Sequence, residues 1–276
     1  MASKITEIAP GVFNIRTAFD LPPIVGYLGV SEVGTHMTLI RLKSGKFVAF
    51  STVELDAALK SQVDALTDGG ALLEAVVATN AHHSLFLAAF HAAYPAAAYY
   101  GTPRHIRNFP QIKWAGDVSD TSVLALWDSE IALRNTDKGV VWDNPSVPEF
   151  NHFAGVLVYH RATKTLLADD SFILVHNPTP VAIANSTAKQ PDDIVFQPQI
   201  FGDALTASPE APQQFYDFLV DLLNEWDVEN IATAHGGVRI GGSGANILKA
   251  LDAIAKGPLG EIAKARNSTL VLRKHK

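Results

Sequence analysis

Apolar and polar positions alternate along this chain with two different periods. Short β-type runs fill the first fifty residues: Gly11 to Thr17 (GVFNIRT), Tyr27 to Val30, Met37 to Leu42 (MTLIRL) and Lys46 to Ser51 (KFVAFS). Lys43-Ser44-Gly45 between the last two is a Gly-containing hairpin signal. Asp20 to Pro23 interrupts the pattern, because its Pro-Pro pair cannot continue a ladder. The period then changes. Leu55, Ala58, Leu59, Val63 and Leu66 recur at helical spacing and predict an amphipathic helix over 54–66. Ala75 to Ala78 reads as a short buried strand that ends at Thr79-Asn80, with His82-His83 directly after it. Residues 84–93 read as helix and Ala96 to Tyr100 as strand. Strand, helix and strand in succession indicate an α/β layer.

The second half returns to β from Ser122 to Trp142, with apolar runs at Val123 to Trp127 and Val140 to Trp142. Residues 155–168 predict a hairpin whose strands are Val156 to His160 and Thr165 to Ala168. Residues 177–214 are rich in Pro, Asn, Gln and Asp, and read as a long irregular loop or insertion with short helical pieces. The clearest helix follows at 212–226, where Phe215, Phe218, Leu219, Leu222, Leu223 and Trp226 form one core-facing stripe. A strand from Asn230 to Ala234 leads to His235. A Gly-rich loop with Ser243 near a helix N-cap and a helix from Asn246 to Lys256 come next. Ser268 to Leu272 reads as an edge strand. No repeat or clean linker divides the chain, so a single domain over 1–276 is expected.

Composition narrows the function. Apolar residues make up 47% of the chain and charged ones 18%, enough for a sizeable core. The net charge is −6 and no basic stretch offers a phosphate footprint, so nucleic acid is not an expected partner. There is no cysteine, which excludes disulfides, thiolate metal ligands and a Cys nucleophile. No apolar run reaches the ~18–20 residues of a membrane helix, and the first residues lack a signal-peptide pattern. A soluble cytoplasmic protein without a membrane partner, acting on a small-molecule substrate, is expected; apolar edge strands would suit a homodimer. A metal site without cysteine must use His and carboxylates, and the chain has ten histidines.

Four places put His or Asp beside an apolar strand: Asn80-Ala81-His82-His83, His152, Asp169-Asp170 and His235. Strand ends at one sheet edge are where α/β proteins gather ligands. His36, His91, His105, His160, His176 and His275 have no such register and read as surface, core or pocket-rim residues. Arg104, His105 and Arg107 read as solvent-exposed. Gly241-Gly242-Ser243-Gly244 is a tight turn rather than a nucleotide loop or a nucleophile elbow.

These motifs resemble the metallo-β-lactamase superfamily, which carries T-H-x-H-x-D-H after an early strand, G-H-T-x-G before a hairpin, G-D after it and a late G-H. Here stand Thr79-Asn80-Ala81-His82-His83-Ser84-Leu85, Asn151-His152-Phe153-Ala154-Gly155, Ala168-Asp169-Asp170 and Ala234-His235-Gly236, in that order. The opening Ile8 to Phe13 is also similar, and the match spans roughly residues 8 to 255. The first motif departs from the pattern: Asn80 replaces the first His, and Ser84 and Leu85 replace the Asp and the last His. Ser51 stands where an Asp is common. The chain looks closest to a branch whose first motif reads Asn…His-His.

The resemblance implies a four-layer αββα sandwich of two mixed sheets flanked by helices. It implies a cage of His82, His152, Asp170 and His235 around one divalent ion, zinc first and iron second. Around that cage, Asn80 and His83 join His235 and Asp170 as candidate catalytic groups. A bound zinc ion brings its water's pKa to about 7, which suits hydrolysis of a small ester, lactone or related bond. Two alternatives stand beside this: a non-catalytic binding protein, and iron-dependent redox or lyase chemistry, which a His₂-carboxylate set also suits.

Overall fold

The computed structural model describes residues 4–17, 34–146, 153–175 and 192–274. The early β runs become β1 (Lys4–Ala9), β2 (Val12–Thr17), β3 (Thr35–Arg41) and β4 (Phe47–Phe50), an antiparallel meander. Where the period changes to helical, the connections become crossovers. Helix α1 (Ala57–Thr67) leads to β5 (Leu73–Val77) and α2 (Leu87–Ala93) to β6 (Ala98–Gly101). Helix α3 (Pro103–Asn108) leads to β7 (Trp114–Asp117). Strands β4 to β7 pair in parallel, so the first sheet runs β1 to β7 in chain order. Helix α1 starts where the Asp56 carboxylate accepts from the Leu59 N–H, and ends at Asp68 in the left-handed region.

A short helix α4 (Thr121–Leu124) precedes β8 (Ile131–Asn135). The hairpin β9 (Val156–His160) and β10 (Thr165–Ala168) follows, then β11 (Phe172–Val175) and β12 (Asp193–Phe196) as a separate antiparallel pair. Helix α5 (Ala211–Glu225) leads to β13 (Asn230–Thr233) and β14 (Val238–Arg239), and α6 (Ser243–Lys256) and α7 (Pro258–Ala265) close the chain. The second sheet has the order β14-β13-β10-β9-β8, with β13 parallel to β10.

Side-chain alternation builds four layers from these two sheets. On the inner faces, Ile40, Val48, Phe50 and Val77 meet Leu133, Val158, Leu167 and Ala232. On the outer face of the first sheet, Leu39, Phe47 and Val76 pack under Leu59, Val63 and Phe90. On the outer face of the second, Tyr159, Leu166 and Ile231 pack under Tyr216, Leu219, Ile247 and Leu251. Both faces of each sheet are covered, so the strands read as continuous apolar runs. The result is the αββα sandwich expected from the sequence.

Several local expectations change. Val123 to Trp127 is not a strand: the Asp120 carboxylate caps the Ser122 N–H and starts α4. Val123 and Trp127, four apart, are buried, while Leu126 points out at 50% exposure. Trp127 packs edge-on against Tyr100 and donates its Nε1–H to Glu74. Val140 makes only an isolated bridge, to Leu205. Ser268 to Leu272 joins no sheet; the Gln213 side-chain amide pairs with both the N–H and the carbonyl of Val271 instead. Within 177–214, β12, a 3₁₀ turn at Pro198–Phe201 and the start of α5 are regular structure. Gly242 precedes α6, and Ser243 is its first residue rather than its cap. The run Tyr27 to Val30 lies outside the described residues.

The two sheets are joined at one edge. Asn80, just past β5, bridges Gly155, just before β9. Val156 N–H donates to the Thr79 carbonyl at 2.7 Å and Ala81 N–H to that of Ala154 at 2.9 Å. A Cβ at Gly155 would lie 2.8 Å from the Thr79 oxygen, which is why this position takes glycine. The candidate residues collect along this seam.

Candidate metal centre

The strand pattern of β5 stops at Asn80. The Asn80 side-chain oxygen accepts the His82 N–H at 2.8 Å, and its backbone carbonyl accepts the His83 N–H at 3.0 Å. This is an Asx-type turn, the local alternative an asparagine offers to a strand. The turn sends His83 back over the strand end, toward the aspartates that follow β10.

Asp169 and Asp170 are buried at 6% and 1% exposure. Asp170 is the centre of the arrangement. Its Oδ2 lies 3.1 Å from His83 Nε2 and its Oδ1 lies 3.1 Å from His235 Nε2. The Asn80 side-chain amide donates to the same Oδ2 at 3.1 Å. His235 follows β13, and its Nδ1 lies 2.9 Å from the Gly34 carbonyl. His83 Nδ1 faces Asp169 Oδ1 at 3.4 Å, long for a hydrogen bond and carried by charge. Asp169 Oδ1 also meets His36 Nε2 at 3.0 Å. Gly236, with φ +95°, brings the chain so close to Leu174 that a Cβ would lie 1.8 Å from its carbonyl oxygen.

Burial alone would lower the pKa of His83, but the charge of Asp170 and the bonds to Asp169 and Asp170 outweigh it and raise it well above 6.5. His235 shows the same balance: burial lowers it, and Asp170 more than reverses that. For Asp169, burial raises the pKa, and the contacts from His36 and His83 pull it below the usual carboxylate range. His36 is lowered, since burial exceeds the opposing pull of Asp169.

Among the described residues, His83, Asp170 and His235 offer ligand atoms that all lie within 4.8 Å of one another. Two imidazole nitrogens and a carboxylate are a zinc or iron donor set. One ligand atom from each lies within 4.8 Å of the others, close enough for a single ion to be reached by all three. Each ring turns Nδ1 toward an oxygen and Nε2 toward the Asp170 carboxylate, His83 to Oδ2 and His235 to Oδ1, the kind of arrangement that orients histidine ligands. The residues present therefore fit a divalent ion.

The sequence register singled out His82 from the His-His pair, yet it is His83 that stands with Asp170 and His235. Asn80 is at the site through its amide, while its side-chain oxygen is taken up by the turn. His152 lies outside the described residues, as does His176. Leu85 is 70% exposed. Sequence reasoning missed His36 and Asp169 as members of the network. Position 36 falls on the inner face of β3, where His36 is buried beside Asn14 and Thr38, and that alternation was the available signal. His105 is not solvent-exposed: it is fully buried, with Nδ1 accepting the Thr102 N–H in a capping box that starts α3. Arg107 forms a two-pronged pair with Asp143 at the surface.

The model of a family described as a domain of unknown function, DUF4336, matches residues 24–208. No curated protein matches the chain. Solved structures do. The structure of VMB-1 at pH 5.5 aligns with a TM-score of 0.59 at 13% identity, covering 92% of this chain and 98% of that one. A metallo-β-lactamase from Hirschia baltica aligns at 0.57 and 13% identity, over 91% and 97%. The metallo-β-lactamase FIM-1 from Pseudomonas aeruginosa, in its mono-zinc form, aligns at 0.55 and 12% identity, over 96% of each chain. At such identities the likeness is one of fold.

Proposed function

The chain belongs to the DUF4336 domain family, built on the metallo-β-lactamase fold, and from that premise we propose that it is a metal-dependent hydrolase of small esters, lactones or related bonds. One observation carries the reading: two imidazoles whose Nδ1 atoms face oxygens present both Nε2 atoms to one buried carboxylate. His83, Asp170 and His235 would hold the ion, and His152, three residues before Gly155 in the sequence, is the candidate fourth ligand. Bound there, a divalent cation would polarise a substrate carbonyl and bring the pKa of a water toward neutrality. Asn80 fixes one oxygen of Asp170, so the carboxylate keeps one orientation. The Gly34 carbonyl does the same for the His235 ring.

Metal content by mass spectrometry, on protein purified without chelators, tests this. About one zinc or iron per chain is expected, lost in His83→Ala and His152→Ala, with hydrolysis of some member of an ester and lactone panel lost in parallel. Wild-type-like turnover in either variant would sink the assignment. Iron in place of zinc would turn the reading toward redox or lyase chemistry.

One observation favours a second reading, a non-catalytic binding protein. Asp170 raises the pKa of His235 and His83, and Asp169 adds a second carboxylate beside His83, so the four groups can balance one another's charge. No metal uptake even with added zinc or iron would select it.

A further inference from the structure

A buried polar chain crosses the sandwich from the first sheet to His83. It begins on the inner faces of β2 and β3. The Asn14 amide donates to Thr38 Oγ1 at 2.9 Å and lies 3.4 Å from His36 Nδ1. With Nδ1 facing an amide N–H, His36 carries its proton on Nε2, which points at Asp169 Oδ1 from 3.0 Å. The same oxygen faces His83 Nδ1 at 3.4 Å. The other Asp169 oxygen is buried and has no hydrogen-bond partner among the described residues.

The arrangement is not what a purely structural ion pair would need. A buried carboxylate facing two donors is satisfied best when each oxygen takes one of them. Here both imidazoles converge on a single oxygen, and the other has no partner among the described residues. His83 also needs outside support. It sits on a turn past the end of β5, where its N–H donates to the Asn80 carbonyl, and its Nδ1 side faces Asp169. His36 comes from a central strand, and its side chain is 4% exposed.

We propose that Asp169 and His36 are positioning residues: Asp169 holds His83 with its proton on Nδ1 and Nε2 turned toward Asp170 and His235, and His36 locks Asp169 in that pose. The proposal rests on the metal-centre reading above. Neither residue touches substrate; each acts through His83. Carboxylates placed behind a histidine ligand typically change metal affinity by about 10–100-fold.

The test measures zinc affinity of the full chain by chelator competition, beside thermal melting. His36→Leu should bind zinc about 10–100-fold more weakly. His36→Gln keeps a donor near Nε2 and should stay within about threefold of wild type, a rescue that mere filling of space would not give. In the zinc-loaded wild type, ¹⁵N NMR should show His83 coordinated through Nε2 and protonated on Nδ1. Unchanged affinity in a folded His36→Leu overturns the proposal, and so does coordination of His83 through Nδ1. If His36→Leu does not fold, the NMR assignment together with the His36→Gln affinity decides. Failure of the wild type to take up zinc would overturn the metal centre and this proposal together, whereas uptake indifferent to position 36 overturns the positioning pair alone.

Discussion

Asn80 donates its side-chain amide to Asp170 while its own backbone bridges Gly155 of the opposite sheet. One residue thus ties the seam of the sandwich to the centre of the candidate site. Asn80→Ala removes the donor to a buried carboxylate and the acceptor of the His82 N–H. A loss of about 1–3 kcal/mol is expected, read as a shifted urea midpoint with an unchanged slope.

The turn at Asn80 also decides between adjacent histidines. His83→Ala should abolish tight zinc binding, whereas His82→Ala should leave it within about threefold, well short of the effect of removing a ligand. Isothermal titration of both variants checks this. Equal losses would place the ring of His82, not only its backbone, in the centre.

Gly236 tests how closely the His235 loop must approach β11. A Cβ there would lie 1.8 Å from the Leu174 carbonyl oxygen, and φ is +95°. Gly236→Ala should therefore cost at least about 3 kcal/mol, from overpacking plus backbone strain, because the nearest atoms are backbone and cannot rotate away. Thermal and chemical denaturation would show it, and a neutral variant would refute the close approach.

His105 gives the clearest pH dependence. Burial, reinforced by His83 and Arg104, depresses its pKa from 6.5 to about 3, against weaker opposing pulls from Asp169 and the Asn80 backbone. The unfolded chain then binds a proton below pH 6.5 that the native state does not. Stability from this group is full above 6.5 and falls as the pH drops toward 3, with a slope approaching about 1.4 kcal/mol per unit. His105→Gln keeps the capping box with Thr102 and removes the titration. Its stability relative to wild type should rise as pH falls from 7.5 to 4.5 in a series of urea melts. A constant difference would mean that His105 takes up its proton alike in the folded and unfolded states.

Much of the fold was legible in the sequence because periodicity reports burial. The hairpin of β9 and β10 and the stripe of α5 stand where the apolar pattern puts them. Val123 to Trp127 misled because a short apolar run fits a strand or one helical turn equally well, and only the Asp120 cap separates them. At the site, the order of motifs led to Asp170 and His235. The motif register points to His82, whereas the turn at Asn80 sets His83 beside Asp170 and His235, a local geometry that the motif spacing does not encode. For His36, alternation along β3 signals burial but not the contact it makes. Its partner is 133 residues away, and nothing local in the sequence encodes a contact across two sheets.

The order of strands has a consequence for assembly. Neighbours in the first sheet are also neighbours in the chain, so that half can form from short-range pairings as it emerges. The parallel pairing of β10 with β13 joins residues 65 apart and must wait for α5. His36 and His83 therefore belong to an early half, Asp169, Asp170 and His235 to a late one, and their charges meet only when the halves dock. A cation held by that junction would act as a clasp on the finished fold, slowing its opening more than it speeds its formation.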